Sequence, residues 1–312
     1  MNNNNSTEQP PFRSHPAAKN GDKFPRVSSS PSLKALGSQT SMQEMMSALL
    51  QDRILQEYEA PCAFEGFSTD GLAAIAANCR NLRELDLHES DVEDLSGHWL
   101  SHFPDTYTSF VSLNISCLGS ELSFSALERL VARCPNLRSL RLNRSVPLDR
   151  LANLLRLAPR LTDLGTGAYS AEWRPDVFTI LSRAISGCKE IKSLSGFWDV
   201  VPSYLPAIYS ICPGLTSLNL SYAIIQSPAL VKLVSQCPNL QRLWVLDYIE
   251  DVGLDALAES CKDLRELRVF PSDPFVVEPN VSLTEQGLIS VSEGCPKLHS
   301  VLYLCCLHNF VL

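Results

Sequence analysis

The chain has 312 residues, 26 basic and 34 acidic, for a formal net charge of −8. A pI near 5.3 argues against a general nucleic-acid binder, because neutralising phosphates needs a basic face. Apolar residues make up 45 %, enough to fill a core, yet no apolar run approaches the roughly 18 residues that a bilayer span requires.

Residues 1–40 are dominated by Asn, Pro, Ser and Gly and show almost no apolar periodicity. Such a segment buries too little surface to offset its ordering entropy, so a disordered tail is expected there. Its five basic residues (Arg13, Lys19, Lys23, Arg26, Lys34) leave an organelle transit peptide as the alternative to a solvated tail. The opening MNNNNSTEQPP lacks a charged stretch followed by an apolar one, so no signal peptide is expected. Without an export signal, Asn-x-Ser triplets such as those at Asn114, Asn143 and Asn219 carry little weight as glycosylation sites. Residues 41–64 read as a short amphipathic helix and linker, the helix over 41–57.

From residue 65 to 304 the chain repeats itself. Cys79-Arg-Asn-Leu82-Arg-Glu-Leu85-Asp-Leu87 matches Cys134…Leu137…Leu140…Leu142 and Cys212…Leu215…Leu218…Leu220. Cys237, Cys261 and Cys295 open further copies, and the copy at Cys188…Ile191…Leu194 breaks off at Gly196. Phe110…Leu113 and Leu161…Leu164 lack the cysteine. The first apolar anchors are spaced by 28, 27, 24, 30, 24, 25, 24 and 34 residues. A period in the twenties with L-x-x-L-x-L is the leucine-rich-repeat signature. The expected fold is therefore α/β, a solenoid forming an open arc of about nine strand–helix repeats with strands on the concave face. Helices are expected over Ser68–Asn78, Ser123–Arg133, Asp176–Ser186, Ala229–Gln236, Val252–Ser260 and Thr284–Glu293, with Ser68, Ser123, Asp176 and Thr284 as N-caps.

Eleven cysteines are an odd number, and seven occupy the repeated position, so they read as small buried residues of a reduced compartment rather than a disulfide scaffold. Cys305 and Cys306 are adjacent, which suits neither zinc nor a mutual disulfide. Between His88 and His102 three histidines lie among four carboxylates, but Trp99 stands where a zinc protease needs its glutamate, so a solvated inter-repeat helix is expected. Gly165-Thr-Gly167 lacks the third glycine of a dinucleotide fingerprint, and no G-x-S-x-G elbow occurs. Nothing argues for an enzyme. The 34-residue spacing after Leu264 places an insertion over 268–281, where Pro271, Pro274 and Pro279 would stiffen a loop carrying Phe270 and Phe275. Such a loop suits binding, its aromatics supplying contact surface. A structural loop covering the neighbouring repeat is the alternative.

Several stretches are familiar: Asp247-Tyr-Ile-Glu-Asp, Cys261-Lys-Asp-Leu-Arg-Glu-Leu-Arg-Val-Phe-Pro-Ser, Asn114-Ile-Ser-Cys, Ser195-Gly-Phe-Trp-Asp and Val201-Pro-Ser-Tyr-Leu-Pro-Ala. Over residues 65–303 the sequence resembles the plant auxin receptors of the transport-inhibitor-response and auxin-signalling F-box family. The resemblance implies a nuclear substrate receptor of a Skp–cullin–F-box ubiquitin ligase, with cytoplasm as a second compartment. It also implies inositol hexakisphosphate as cofactor, and auxin completing a docking site for an Aux/IAA repressor degron. Arg268 matches a family arginine that holds the polyphosphate. Phe275, with Pro274 beside it, matches a pocket-loop phenylalanine near hormone and degron. Leu304 stands where the family has a pocket phenylalanine. No F-box pattern is visible before residue 65, and the family's later repeats have no counterpart before the divergent tail 305–312. The resemblance therefore implies a receptor impaired in hormone and adaptor binding. The alternative is a hormone-independent protein-binding scaffold or decoy.

Overall fold

The computed structural model describes residues 69–87, 98–116, 118, 122–169, 172–272 and 281–303. The expected tail 1–40, the helix and linker 41–64 and the terminus 305–312 lie outside the described residues.

Nine short strands form one sheet in chain order: β1 Glu84–Asp86, β2 Ser112–Asn114, β3 Ser139–Arg141, β4 Asp163–Gly165, β5 Ser193–Ser195, β6 Ser217–Asn219, β7 Arg242–Leu246, β8 Glu266–Phe270 and β9 Ser300–Tyr303. Every pairing is parallel, as a strand–helix–strand repeat requires. The middle apolar residues Leu85, Leu113, Leu140, Leu164, Leu194, Leu218, Leu243, Leu267 and Val301 stand in register. From Leu113 to Leu267 they are buried on the helix side, each worth about 1.5–3 kcal/mol of transfer free energy. The L-x-x-L-x-L spacing thus becomes one continuous core, and the solenoid expectation holds.

Among the described residues seven helices cover that side: α1 Thr69–Asn78, α2 Phe124–Arg133, α3 Leu148–Leu157, α4 Pro175–Gly187, α5 Ser227–Val234, α6 Glu250–Ser260 and α7 Glu285–Gly294. Helix α3 was not among the expected ones, although Leu148, Leu151, Ala152, Leu154 and Leu155 form its buried stripe at helical spacing. Thr284 caps α7 as expected, its side chain accepting from the Gln286 N–H. Asp176 does not cap α4. Pro175 opens that helix because its fixed φ suits the first turn, which moves the cap back to Arg174. Ser123 sits at the cap of α2 with extended backbone but makes no side-chain cap bond.

The segment His98–His102 is a short 3-10 turn, and its centre is not solvated. Trp99 and Leu100 are fully buried, and the Trp99 ring meets Phe103 edge-on at 6.2 Å. The expectation of a solvated helix fails because Trp99 and Leu100 fill the space between the first two repeats. Among the described residues no group of three or more His, Cys, Asp or Glu could hold a metal ion. No described helix is long and apolar enough to cross a membrane.

Six of the seven repeat cysteines are buried as expected, and Cys79 of the first described repeat is exposed. The buried thiols also do something the sequence does not announce. Cys261 Sγ donates to the Cys237 carbonyl at 3.3 Å, and Cys295 Sγ to the Cys261 carbonyl at 3.4 Å. Each thiol thereby stitches its repeat to the one before. Burial pushes the Cys261 thiol up to about 12, so these sulfurs stay protonated and inert at neutral pH.

The break at Gly196 also has a physical cause. Gly196 adopts φ 90°, followed by left-handed Phe197 at 61° and Asp199 at 56°. A Cβ on Gly196 would stand 2.2 Å from the Thr166 carbonyl oxygen, so only glycine fits. Phe197 N–H donates to Thr166 Oγ1 at 2.8 Å, and the chain turns out of the sheet after β5.

Candidate functional site

Alternation along each strand sends the residues flanking the buried leucine to the face that, among the described residues, carries no helix. One row there runs Glu84, Ser112, Ser139, Asp163, Ser193, Ser217, Arg242, Glu266, Ser300. The second runs Asp86, Asn114, Arg141, Gly165, Ser195, Asn219, Trp244, Arg268, Leu302. The middle of the face is floored by small side chains, and the second row places one arginine on each side of it.

Arg268 is held from two sides on this face. Its guanidinium carbon lies 4.5 Å from the centre of the Trp244 ring, on the neighbouring strand at the same register. Its Nε donates to Glu266 Oε1 at 2.7 Å, and Trp244 Nε1 donates to that same oxygen at 3.0 Å. The side chains of Arg268 and Glu266 are 22 % and 18 % exposed, so the pair is accessible yet shielded from full screening. Trp244 and Glu266 were not singled out in the sequence. The signal was there: the second row of two successive repeats reads Trp244 then Arg268, an aromatic platform beside a guanidinium.

Beyond Arg268 the face becomes apolar. Leu246 and Phe270 are buried in a small cluster separate from the main core, with Tyr222, Ile224, Trp244, Tyr248 and Leu302 half-buried around them. Farther along, Trp198 lies between Tyr222, stacked at 3.9 Å between centroids, and Arg144, 5.2 Å from its ring centre. Arg144 reaches Asp199 at 3.4 Å, two repeats away. Ala168 lies between them, bridging Pro147 on one side and Trp198 on the other.

The base of the insertion is tied down. Asp247, at the end of β7, accepts from the Ser272 N–H at 2.9 Å. Asp251, at the start of α6, accepts from the Thr284 N–H at 2.8 Å and its hydroxyl at 2.6 Å. Of the residues the resemblance singles out, Arg268 sits on the helix-free face, in the row next to the aromatic cluster. Phe275, Pro274 and Leu304 lie outside the described residues.

No protein-family model matches the chain. Curated plant relatives do. GRR1-like protein 1 of Arabidopsis thaliana is 63 % identical over 241 residues, covering 77 % of this chain and 41 % of the relative. Transport inhibitor response 1-like protein Os05g0150500 of Oryza sativa subsp. japonica is 59 % identical, covering 77 % and 40 %. Coronatine-insensitive protein homolog 1a of Oryza sativa subsp. indica is more distant at 29 %, covering 76 % and 39 %. The chain thus spans about two fifths of the length of the curated relatives it matches. Nine in-register leucine-rich repeats and identities of this size over most of the chain lead to one conclusion: it belongs to the plant transport-inhibitor-response and auxin-signalling F-box family of leucine-rich-repeat proteins.

Proposed function

We propose that this chain carries the repeat domain of a substrate-receptor subunit of a Skp–cullin–F-box ubiquitin ligase, acting in auxin signalling in the nucleus. The observation that carries this reading is the Arg268 site beside the aromatic cluster, in a chain 63 % identical to GRR1-like protein 1.

The donor set of Arg268 fits one phosphate of inositol hexakisphosphate. A guanidinium fork matches phosphate oxygens, and the Trp244 ring holds its plane in place. The rest of the described face adds Arg141 and Arg242 against Glu84, Asp86, Asp163 and Glu266, so it supplies no excess positive charge of its own. In this reading Arg268 orients the polyphosphate. The cluster of Phe270, Tyr222, Tyr248 and Leu302 offers an apolar wall against which auxin and an Aux/IAA degron pack; Pro274 and Phe275 enter this reading through the resemblance alone.

Capture of an Aux/IAA degron peptide by the purified chain, with and without auxin and in the presence of inositol hexakisphosphate, tests this. Auxin-stimulated capture is expected, weakened in line with the impairment that the resemblance implies. Capture of equal strength without hormone would point to the scaffold reading, and none in a folded chain would sink both.

A further inference from the structure

We propose that Glu266 is a specificity-determining residue of the Arg268 site: a built-in competitor whose carboxylate excludes small anions from the guanidinium. The inference rests on the reading of Arg268 as an anion-binding residue.

The carboxylate is held in place from two sides. Glu266 Oε1 accepts from Arg268 Nε at 2.7 Å and from Trp244 Nε1 at 3.0 Å, so it leaves only by breaking both bonds. An anion approaching Arg268 therefore meets a fixed negative charge a few ångströms away. The same wiring recurs at the other arginine of that row. Arg141 Nε donates to Asp163 Oδ2 at 2.8 Å, and Ser139 Oγ donates to the same oxygen at 2.8 Å. Arg141 lies across Gly165, where an added Cβ would stand 2.9 Å from Arg141 Cβ. Among the described residues, both second-row arginines thus present their Nε edge to a first-row carboxylate, and a second donor pins each carboxylate. A chance surface ion pair has no reason to repeat with its supporting donor.

The consequence is a threshold. A small dianion such as sulfate at Arg268 draws mainly on that guanidinium, whose charge Glu266 already offsets; among the described residues the next cation of the face is Arg242, paired across from Glu266 on β7. A polyphosphate gains from several cations at once and tolerates the cost at one of them. Glu266→Gln isolates this effect. The amide oxygen still accepts from Arg268 Nε and Trp244 Nε1, while the charge is gone.

The test is a sulfate titration of the full chain, followed at the Arg268 Nε–H resonance, which is assigned by its loss in Arg268→Lys. Glu266→Gln should lower the sulfate midpoint about tenfold, the size of one partly screened charge contact. A gain of affinity cannot come from a damaged fold. A midpoint within twofold of the unmodified chain overturns the proposal. Inositol hexakisphosphate is titrated in parallel into the chain and into Arg268→Ala. If that variant binds it unchanged, the polyphosphate reading of Arg268 falls, while the sulfate comparison still decides the role of Glu266.

Discussion

Replacing Gly196 by alanine should be among the costliest single-methyl additions in the chain. The residue sits at φ 90°, a region that costs an L-residue about 1–2 kcal/mol. The new Cβ would stand 2.2 Å from the Thr166 carbonyl oxygen and 2.8 Å from its hydroxyl. Both belong to a residue whose own N–H donates to the Ser195 carbonyl at 2.9 Å. Relief requires β4 and the turn after β5 to move apart by nearly an ångström. That movement puts the Phe197 N–H bond to Thr166 Oγ1 at risk, another roughly 0.5–1.5 kcal/mol. The sum is about 2.5 kcal/mol. Urea unfolding of Gly196→Ala should show a midpoint lowered by about 1 M with little change in slope. Gly187→Ala is the control. That glycine ends α4 and has nothing within 4 Å of its added Cβ, so the variant should be neutral or gain up to about 1 kcal/mol. If Gly196→Ala unfolds within 0.5 kcal/mol of the unmodified chain (~0.5 kcal/mol is the usual scatter of neutral surface changes), the steric argument is wrong.

Three further outcomes follow from the packing. Lys262 Nζ donates to the Ala258 carbonyl at 2.6 Å and the Gly294 carbonyl at 3.1 Å, serving the ends of α6 and α7 together; Lys262→Met should cost about 1 kcal/mol, and an unchanged melting temperature would count against a shared cap. Asp251→Ala removes both bonds to Thr284 and should speed amide exchange in the first turn of α7 about tenfold, roughly 1.4 kcal/mol of local opening, whereas unchanged protection there would mean that Thr284 caps alone. Burial raises the Cys261 thiol from 9.0 to about 12, so the unfolded chain releases its proton first as pH rises. This thiol's contribution is therefore intact below pH 9 and is lost between 9 and about 12, and alkylation of the folded chain at pH 8 should mark Cys79 and spare Cys261.

The repeat was legible because burial enforces it. A leucine at eight of the nine described strand centres and a cysteine after six of the seven described helices leave a period that survives variation elsewhere, so strand positions followed from the spacing alone. Helix α3 was missed because its strand, β4, follows Ala158 instead of a cysteine, and the cysteine had been the marker for helix ends. The Asn-x-Ser triplets at Asn114, Asn143 and Asn219 proved to be turn chemistry. In each, the asparagine side-chain Oδ1 accepts from the serine hydroxyl two residues on, at 2.9, 2.7 and 2.7 Å. Arg268 could be read from the sequence only through resemblance. Its partners Trp244 and Glu266 are legible only once the repeats are laid in register, because Trp244 and Arg268 hold the same position in two repeats 24 residues apart and no local motif links them.

The two carboxylates that hold the base of the insertion come from one five-residue stretch, Asp247 to Asp251. One grips Ser272 as the chain leaves β8, and the other grips Thr284 as it enters α7. The repeat before the insertion is thus a jig that sets both attachment points. A change of length between Ser272 and Thr284 at the bench therefore leaves both grips where they are, since each is made by a carboxylate of the preceding repeat.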